Sequence, residues 1–126
     1  MADIPVKFWE GVRRRITDKA VKGSFNKECW QWTGPLRKDR RYGQFSMTIL
    51  GDRLRVNAHR AAYMAFNQIL DLPNDISHLC HEGHCVNPEH LYHEDRVVNL
   101  ERNSCKESGE CKGHIFNNDT YPACIF

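Results

Sequence analysis

Cysteine and histidine are concentrated in the middle of this 126-residue chain. Residues 77–91 read Ser-His-Leu-Cys-His-Glu-Gly-His-Cys-Val-Asn-Pro-Glu-His-Leu, in which Cys80, Cys85 and His90 recur at intervals of five residues. A structural zinc ion takes four sulfur or nitrogen ligands in a tetrahedron, so this run lacks one ligand. Cys29 is the only cysteine upstream, and it completes a Cys3His set. We therefore predict a first zinc site; the alternative is a scatter of surface histidines and buried cysteines.

The three remaining cysteines lie in the C-terminal part of the chain, together with one more histidine. They form a second Cys3His set, Cys105, Cys111, His114 and Cys124. A zinc ion with four protein ligands has no open position and performs no chemistry, so both predicted zinc ions are structural. Residues 105–126 contain few apolar side chains, and here the ion would take the place of a hydrophobic core.

Two alternatives to this zinc assignment are open. His81 and His84 lie inside the first run and compete with its predicted ligands. The cysteines would pair as disulfides in an oxidising compartment, but the first residues, Met-Ala-Asp-Ile-Pro-Val-Lys-Phe, contain no apolar stretch typical of a secretory signal. No apolar run approaches the roughly 18 residues of a membrane span. We expect an intracellular protein, in a prokaryotic or phage-host cytoplasm or in a nucleus, whose cysteines bind metal.

Charge is distributed unevenly along the sequence. The chain is 27% charged with a mean hydropathy of −0.65, and its length fits one domain, 1–126. Residues 1–60 carry 14 Lys and Arg against 6 Asp and Glu, whereas residues 61–126 carry 4 against 10. A basic half indicates a polyanionic partner such as nucleic acid; the alternative is ordinary solvated charge.

Two helices and a hairpin are predicted in the first half. Apolar residues at helical spacing predict a helix over 6–22, ended by Gly23-Ser24, and an alanine-rich composition predicts a second helix over 58–68. Between them, residues 41–57 alternate between apolar and polar side chains, with Gly51-Asp52 at the centre. This pattern predicts an antiparallel β-hairpin with a two-residue turn.

The second half is predicted to contain shorter elements. Residues 76–94 have room for two short strands around a turn, and residues 95–103 can form a short helix with Asp95 near its N-cap. From Ser104 onward the sequence shows no periodicity. We therefore assign the chain to the α+β class, with an antiparallel hairpin, short helices and two structural zinc sites.

The polar face of the predicted hairpin suits the major groove of DNA, which admits a two-stranded ribbon. The candidate base-contacting residues are Gln44, Ser46, Thr48, Arg53, Arg55 and Asn57. The candidate phosphate-contacting residues are Arg37, Lys38, Arg40 and Arg41. The alternative is an ordinary solvated sheet face.

Several segments together resemble a known group of nucleases. Ser77-His78-Leu79-Cys80, Cys85-Val86-Asn87-Pro88-Glu89-His90-Leu91 and Asn99 are similar to the His-Cys box homing endonucleases and the related HNH endonucleases, which are His-Me finger (ββα-metal) enzymes. Cys29-Trp30-Gln31-Trp32-Thr33-Gly34, Tyr42-Gly43 and Ala58-His59-Arg60 resemble phage HNH-type enzymes. The resemblance spans residues 29–124, and the central block is its specific part.

This resemblance implies a ββα-metal motif over 76–104, with His78 as general base and Asn99 holding a catalytic divalent cation. Asn87 would brace the loop without a catalytic role. The two Cys3His sets match the family's zinc sites, although the spacing inside the second set differs from the His-Cys box pattern. The family also uses an arginine to clamp the phosphate, for which the candidates are Arg53, Arg55 and Arg60.

The implied activity is that of an Mg²⁺-dependent endonuclease acting on double-stranded DNA. A histidine near its ordinary pKa is a suitable general base at neutral pH, and Mg²⁺ prefers oxygen ligands such as the amide oxygen of Asn99. The alternatives are a zinc-stabilised DNA-binding module that does not cut, in which His78 is only a hydrogen-bonded structural residue, and a zinc-stabilised protein-interaction domain. The chain ends two residues after Cys124, without the tail that some relatives exchange between subunits, so we expect a monomer.

Overall fold

The structure is a computed structural model that describes residues 4–24 and 27–126, so residues 1–3 and 25–26 of the predicted domain lie outside it. Its elements, in chain order, are α1 (Val6–Asp18), β1 (Ala20–Ser24), β2 (Cys29–Trp32), β3 (Gln44–Ile49), β4 (Asp52–Asn57), α2 (Ala58–Asn67), β5 (Asp75–His78), a single 3-10 turn (Pro88–His90), β6 (Leu91–Glu94), α3 (Arg96–Ser108), β7 (His114–Phe116) and β8 (Asp119–Tyr121).

The described strands form four separate two-stranded antiparallel sheets, each from strands that follow one another in sequence. Such small sheets bury one face at most and depend on the helices and on the Cys-His sets for support. The combination of three helices with short antiparallel sheets confirms the predicted α+β class, including two Cys3His sites that could hold zinc.

The main core lies between α1, α2 and the β3–β4 hairpin. Helix α1 buries Trp9, Val12 and Ile16, which are spaced three and four residues apart and therefore share one face. Helix α2 offers mainly alanine to this contact, because Ala58, Ala61, Ala62 and Ala65 are all buried. Small side chains let the two helices approach closely, while β3 adds Phe45, Met47 and Ile49 from its apolar face.

Helix α1 is shorter than the sequence predicted. It ends at Asp18, and residues 20–24 form β1, which pairs with β2 through Ala20 opposite Trp32 and Val21 opposite Gln31. The helical spacing of Ala20 was misleading, because the Lys19 carbonyl accepts hydrogen bonds from both the amide and the hydroxyl of Thr33. Pairing with a neighbouring strand therefore overrides local periodicity at this point.

The predicted β3–β4 hairpin is present, with its turn one residue earlier than expected. Ile49 pairs with Asp52, which leaves Leu50 and Gly51 in the turn, with φ of 51° and 87°. Positive φ at both central residues is typical of a type I′ turn, whose twist matches that of the two strands. The predicted alternation still holds, since Met47 opposes Leu54 and Phe45 opposes Val56.

The C-terminal part is more regular than the sequence indicated. Helix α3 has the predicted N-cap, since the Asp95 carboxylate accepts a hydrogen bond from the Val97 amide. It continues five residues past the predicted end at residue 103 and stops at Gly109, whose φ of 78° is a common helix terminus. Beyond it, β7 and β8 form a hairpin that was not predicted; Asn117 and Asn118 make its turn with positive φ.

None of the described helices combines the length and the apolar character that a membrane crossing requires.

Candidate functional site

The site is built on β5, β6 and α3, the elements over which the sequence predicted a ββα motif. Strands β5 and β6 pair antiparallel, with Ser77 opposite Tyr92 and His78 opposite Leu91. Ser77 on β5 faces α3, where its hydroxyl donates to Asn99. His78 from the end of β5 and Asn99 from α3, the two residues that the resemblance assigned to chemistry, line one cleft.

That cleft has a volume of about 730 Å³ and is lined mainly by polar side chains. His78 and Asn99 both line it, and so do five basic residues: Arg41, Arg60, Arg96, Arg102 and Lys106. A concave surface that carries several cations next to a histidine suits an anionic ligand.

The imidazole of His78 is held in one tautomer. Its Nε2 lies 3.1 Å from the carbonyl oxygen of Cys85. A carbonyl oxygen can only accept, so Nε2 carries the proton and donates it. Nδ1 therefore keeps a free lone pair, and the described residues offer it no hydrogen-bond partner.

Two aromatic neighbours hold the His78 ring in place. The Tyr42 ring stacks on it at 5.9 Å between centroids and 9° between planes, and the His59 ring lies 4.2 Å away. Burial among these groups lowers the pKa of His78 to about 4, although the hydrogen bond to Cys85 opposes the shift. The sequence alone predicted an ordinary histidine pKa, whereas the buried imidazole of His78 is neutral at and around pH 7.

Asn99 takes part in a chain of hydrogen bonds at the other side of the cleft. The Ser77 hydroxyl donates to Asn99 Oδ1 over 2.7 Å, and Asn99 Nδ2 donates to a carboxylate oxygen of Asp75 over 3.1 Å. The same Asp75 oxygen lies 3.9 Å from a guanidinium nitrogen of Arg96. An amide oxygen has two lone pairs, so Oδ1 can accept from Ser77 and still coordinate a cation.

The first Cys3His set is brought together as predicted. The ligand atoms of Cys29, Cys80, Cys85 and His90 all lie within 4.8 Å of one another, and all four residues are buried. His90 Nδ1 is 3.6 Å from the sulfur atoms of both Cys29 and Cys85. The predicted competitors His81 and His84 are not part of this group.

The donor set fits a zinc ion. Burial and the neighbouring Cys85 raise the pKa of Cys29 to about 12, while proton sharing with Cys80 lowers that of Cys85 to about 5. Cysteines packed this closely do not all ionise without a metal, because neighbouring thiolates repel each other in a buried site. A divalent cation removes that repulsion and allows all three to ionise.

The second set is assembled in the same way at the end of α3. The ligand atoms of Cys105, Cys111, His114 and Cys124 lie within 4.8 Å of one another. His114 Nδ1 is 2.9 Å from a carboxylate oxygen of Glu101, which fixes the ring and leaves Nε2 to face the sulfur atoms. The two sets are compatible with two structural zinc ions.

The arginines named as phosphate clamps lie in different places. Arg60 lines the cleft, but its guanidinium donates to the backbone carbonyls of Asn74 and Leu72. Arg53 and Arg55 are exposed on β4 and are not among the residues that line the cleft.

Arg41, which was predicted from the sequence to contact DNA phosphates together with Arg37, Lys38 and Arg40, lines the cleft. The loop that carries it is fixed on the Cys-His loop, where His84 Nε2 donates to the Arg40 carbonyl over 2.8 Å. Gly83 makes this approach possible, since a Cβ at that position would lie 2.5 Å from the Arg41 carbonyl oxygen. The Tyr42-Gly43 motif next to Arg41 was the available signal.

Apart from Asn57, the other candidate DNA-contacting residues do not line the cleft. Thr48, Arg53 and Arg55 are exposed and Gln44, Ser46 and Asn57 are half-buried; of these, only Asn57 also lines the cleft. Arg37, Lys38 and Arg40 are exposed on the loop before β3. Together they give the hairpin and its preceding loop a polar, basic surface.

Comparison with known families assigns the chain. A family model described as the zinc-binding loop region of homing endonuclease matches residues 12–125. No curated protein and no solved structure is significantly similar to the chain. The match contains both Cys3His sets, His78 and Asn99, and it confirms the resemblance found in the sequence. Because it extends over most of its length, the chain belongs to the His-Cys box homing endonuclease-like family, and its role is nuclease-related.

Proposed function

We propose that this protein is a metal-dependent endonuclease that hydrolyses phosphodiester bonds in double-stranded DNA. The observation that carries the proposal is the pairing of His78 and Asn99 across one basic cleft, with His78 Nδ1 unprotonated. Family membership supports nuclease chemistry at this site.

His78 is the proposed general base. Nδ1 takes a proton from a water molecule as the water oxygen forms a bond to phosphorus. The bond from phosphorus to the 3′ oxygen breaks, and the departing oxygen takes a proton from solvent. By analogy with the family, the products carry a 5′ phosphate and a 3′ hydroxyl. The hydrogen bond to Cys85 supports this role because it fixes the tautomer that exposes Nδ1.

Asn99 is the proposed protein ligand of Mg²⁺. When bound, such an ion neutralises charge on the phosphate and on the departing oxygen. The fit rests on the donor type: Oδ1 is a hard oxygen ligand in a polar cleft, and its second lone pair is not used by Ser77.

Arg41 is the proposed phosphate contact in the cleft, with Arg96 and Lys106 on the α3 side. The polar face of β3–β4 and the loop with Arg37, Lys38 and Arg40 would hold the flanking DNA, giving affinity that depends on salt. Arg53 and Arg55 keep a proposed DNA-binding role on that face. A monomeric, intracellular protein remains our expectation.

Plasmid cleavage tests the proposal. Zinc-loaded protein is incubated with supercoiled plasmid with and without Mg²⁺, and we expect nicked or linear product only with Mg²⁺. Asn99→Ala should lose cleavage at millimolar Mg²⁺, whereas Asn67→Ala, on an exposed residue of α2 outside the cleft lining, should cut like the wild type. Salt-sensitive binding without any cutting would favour the non-cleaving DNA-binding module, and absence of binding would favour a protein-interaction domain.

A further inference from the structure

Asn99 is useful as a metal ligand only in one of its two amide orientations. Its oxygen and nitrogen lie on opposite sides of Cγ, and rotation by 180° exchanges them at almost no change in shape. An orientation with Nδ2 toward the metal would present a donor to a cation. Some group must therefore select the orientation with Oδ1 at the metal position.

Ser77 cannot make that selection. Its hydroxyl donates to Asn99 Oδ1 over 2.7 Å in the present orientation. A hydroxyl can also accept, so it would bond equally well to Nδ2 if the amide turned over. Ser77 is buried and fixes the position of the amide without distinguishing its two ends.

Asp75 can make the selection. An ionised carboxylate only accepts, and its oxygen lies 3.1 Å from Asn99 Nδ2. The turned amide would place Oδ1 against this carboxylate with no proton between two oxygen atoms. A guanidinium nitrogen of Arg96 lies 3.9 Å from the same oxygen, so this carboxylate oxygen faces donors on both sides.

The same geometry argues that Asp75 is not itself a ligand of the ion held by Asn99. The carboxylate lies on the nitrogen side of the amide, while a cation at Asn99 binds on the oxygen side. From these contacts we infer that Asp75 is a positioning residue, which fixes the amide of Asn99 with its oxygen toward the metal. This inference rests on the proposed function, because it gives Asn99 the role of metal ligand.

Metal binding without turnover provides the test. In a His78→Ala background, which keeps the DNA intact, Mn²⁺ binding to the zinc-loaded protein–DNA complex is measured from the electron paramagnetic resonance signal of free Mn²⁺. Asp75→Asn is nearly isosteric but offers both a donor and an acceptor, so the amide of Asn99 is free to turn. We expect Mn²⁺ affinity to fall by about 10-fold or more, with zinc content and thermal stability unchanged.

Two further variants separate positioning from charge. The exchanged pair Asp75→Asn/Asn99→Asp again places one donor opposite one acceptor. The carboxylate at position 99 presents an oxygen atom to the metal in either orientation, so Mn²⁺ affinity should return to near that of the His78→Ala parent. Asp71→Asn makes the same change of charge on an exposed residue outside the cleft lining and should leave it unchanged.

The outcomes are distinguishable. Unchanged Mn²⁺ affinity in Asp75→Asn, an equal loss in Asp71→Asn, or no recovery in the exchanged pair would each overturn the positioning role while leaving the nuclease proposal intact. If the His78→Ala parent binds no Mn²⁺ with DNA and the wild type does not cut, the proposed function itself fails, and the inference fails with it.

Discussion

Arg102 on α3 forms a buried ion pair with Glu94 of β6 and also contacts the C-terminal Cys-His set, so its removal should destabilise the whole protein. Its Nε and Nη2 lie 2.5 and 2.7 Å from the two carboxylate oxygens of Glu94, and both side chains are nearly inaccessible, at 3% and 0% exposure. Nη2 also donates to the Pro122 carbonyl over 2.9 Å, and Nη1 lies 3.2 Å from the sulfur of Cys124. One guanidinium therefore contacts β6, the backbone of the C-terminal segment and the predicted zinc ligand Cys124.

The expected loss of stability depends on which groups remain buried after Arg102 is replaced. In Arg102→Met an aliphatic chain of similar length fills the space, but Glu94 is left as a buried charge without its partner. Breaking a buried pair on one side costs about 3–5 kcal/mol. In Glu94→Met/Arg102→Met no charge remains, so we expect at least about 2 kcal/mol of that loss to be recovered.

Urea unfolding at saturating zinc measures both variants against the wild type. With a slope of about 1–3 kcal/mol per molar urea, the single variant should lower the midpoint by at least about 1 M. A chelator should also extract one of its two zinc ions faster, because Arg102 no longer stabilises the Cys124 thiolate. A single variant within about 1 kcal/mol of the wild type, or a double variant no more stable than the single, would show that the Arg102–Glu94 pair does not have this effect on stability.

Three further predictions follow from the site. Because the pKa of His78 is lowered to about 4 and the base acts in its neutral form, the cleavage rate should change by no more than about twofold between pH 7 and pH 5.5. An ordinary pKa of about 6.5 would instead lower the rate roughly tenfold over this range. Metal analysis checks that the zinc content is the same at both pH values. Arg41→Ala should slow single-turnover cleavage of bound DNA by about 10-fold or more, while Arg55→Ala should weaken DNA binding and reduce its salt dependence without slowing that step; equal behaviour of the two would contradict the placement of Arg41. Cys85→Ser should lose one equivalent of zinc and unfold far more readily, as seen by metal analysis and circular dichroism, and retention of both ions would contradict the first set.

The two Cys3His groups could be predicted from the sequence because thiolate chemistry restricts the choice of zinc ligands. Six cysteines and two well-placed histidines divide into two groups of four, and the structure brings both groups together. Helix α3 could likewise be anticipated, since Asp95 is a strong N-cap.

The rest of the site depends on contacts between segments that are distant in sequence. Arg41 reaches the cleft because Gly83 and His84 hold its loop; the adjacent Tyr42-Gly43 motif marks this segment but does not specify that approach. Strand β1 could not be predicted, because the spacing of Ala20 is compatible with both a helix and a strand. Only its pairing with Trp32 on β2 distinguishes the two. Nothing in the sequence distinguishes Asp75 as a site residue. It lies two positions before Ser77 on β5 and therefore on the same face of the strand, but its role becomes visible only when Asn99 is placed next to it.

The most direct test of the account compares DNA cleavage by the wild type and His78→Ala under single-turnover conditions, with both proteins carrying two zinc ions and with Mg²⁺ present. His93→Ala, on β6 outside the cleft lining, serves as the matched control. A general base contributes about 10²–10⁴-fold, so His78→Ala should cut at least about 100-fold more slowly while binding DNA equally well, and His93→Ala should cut normally. Equal cleavage by wild type and His78→Ala would show that His78 is not the general base.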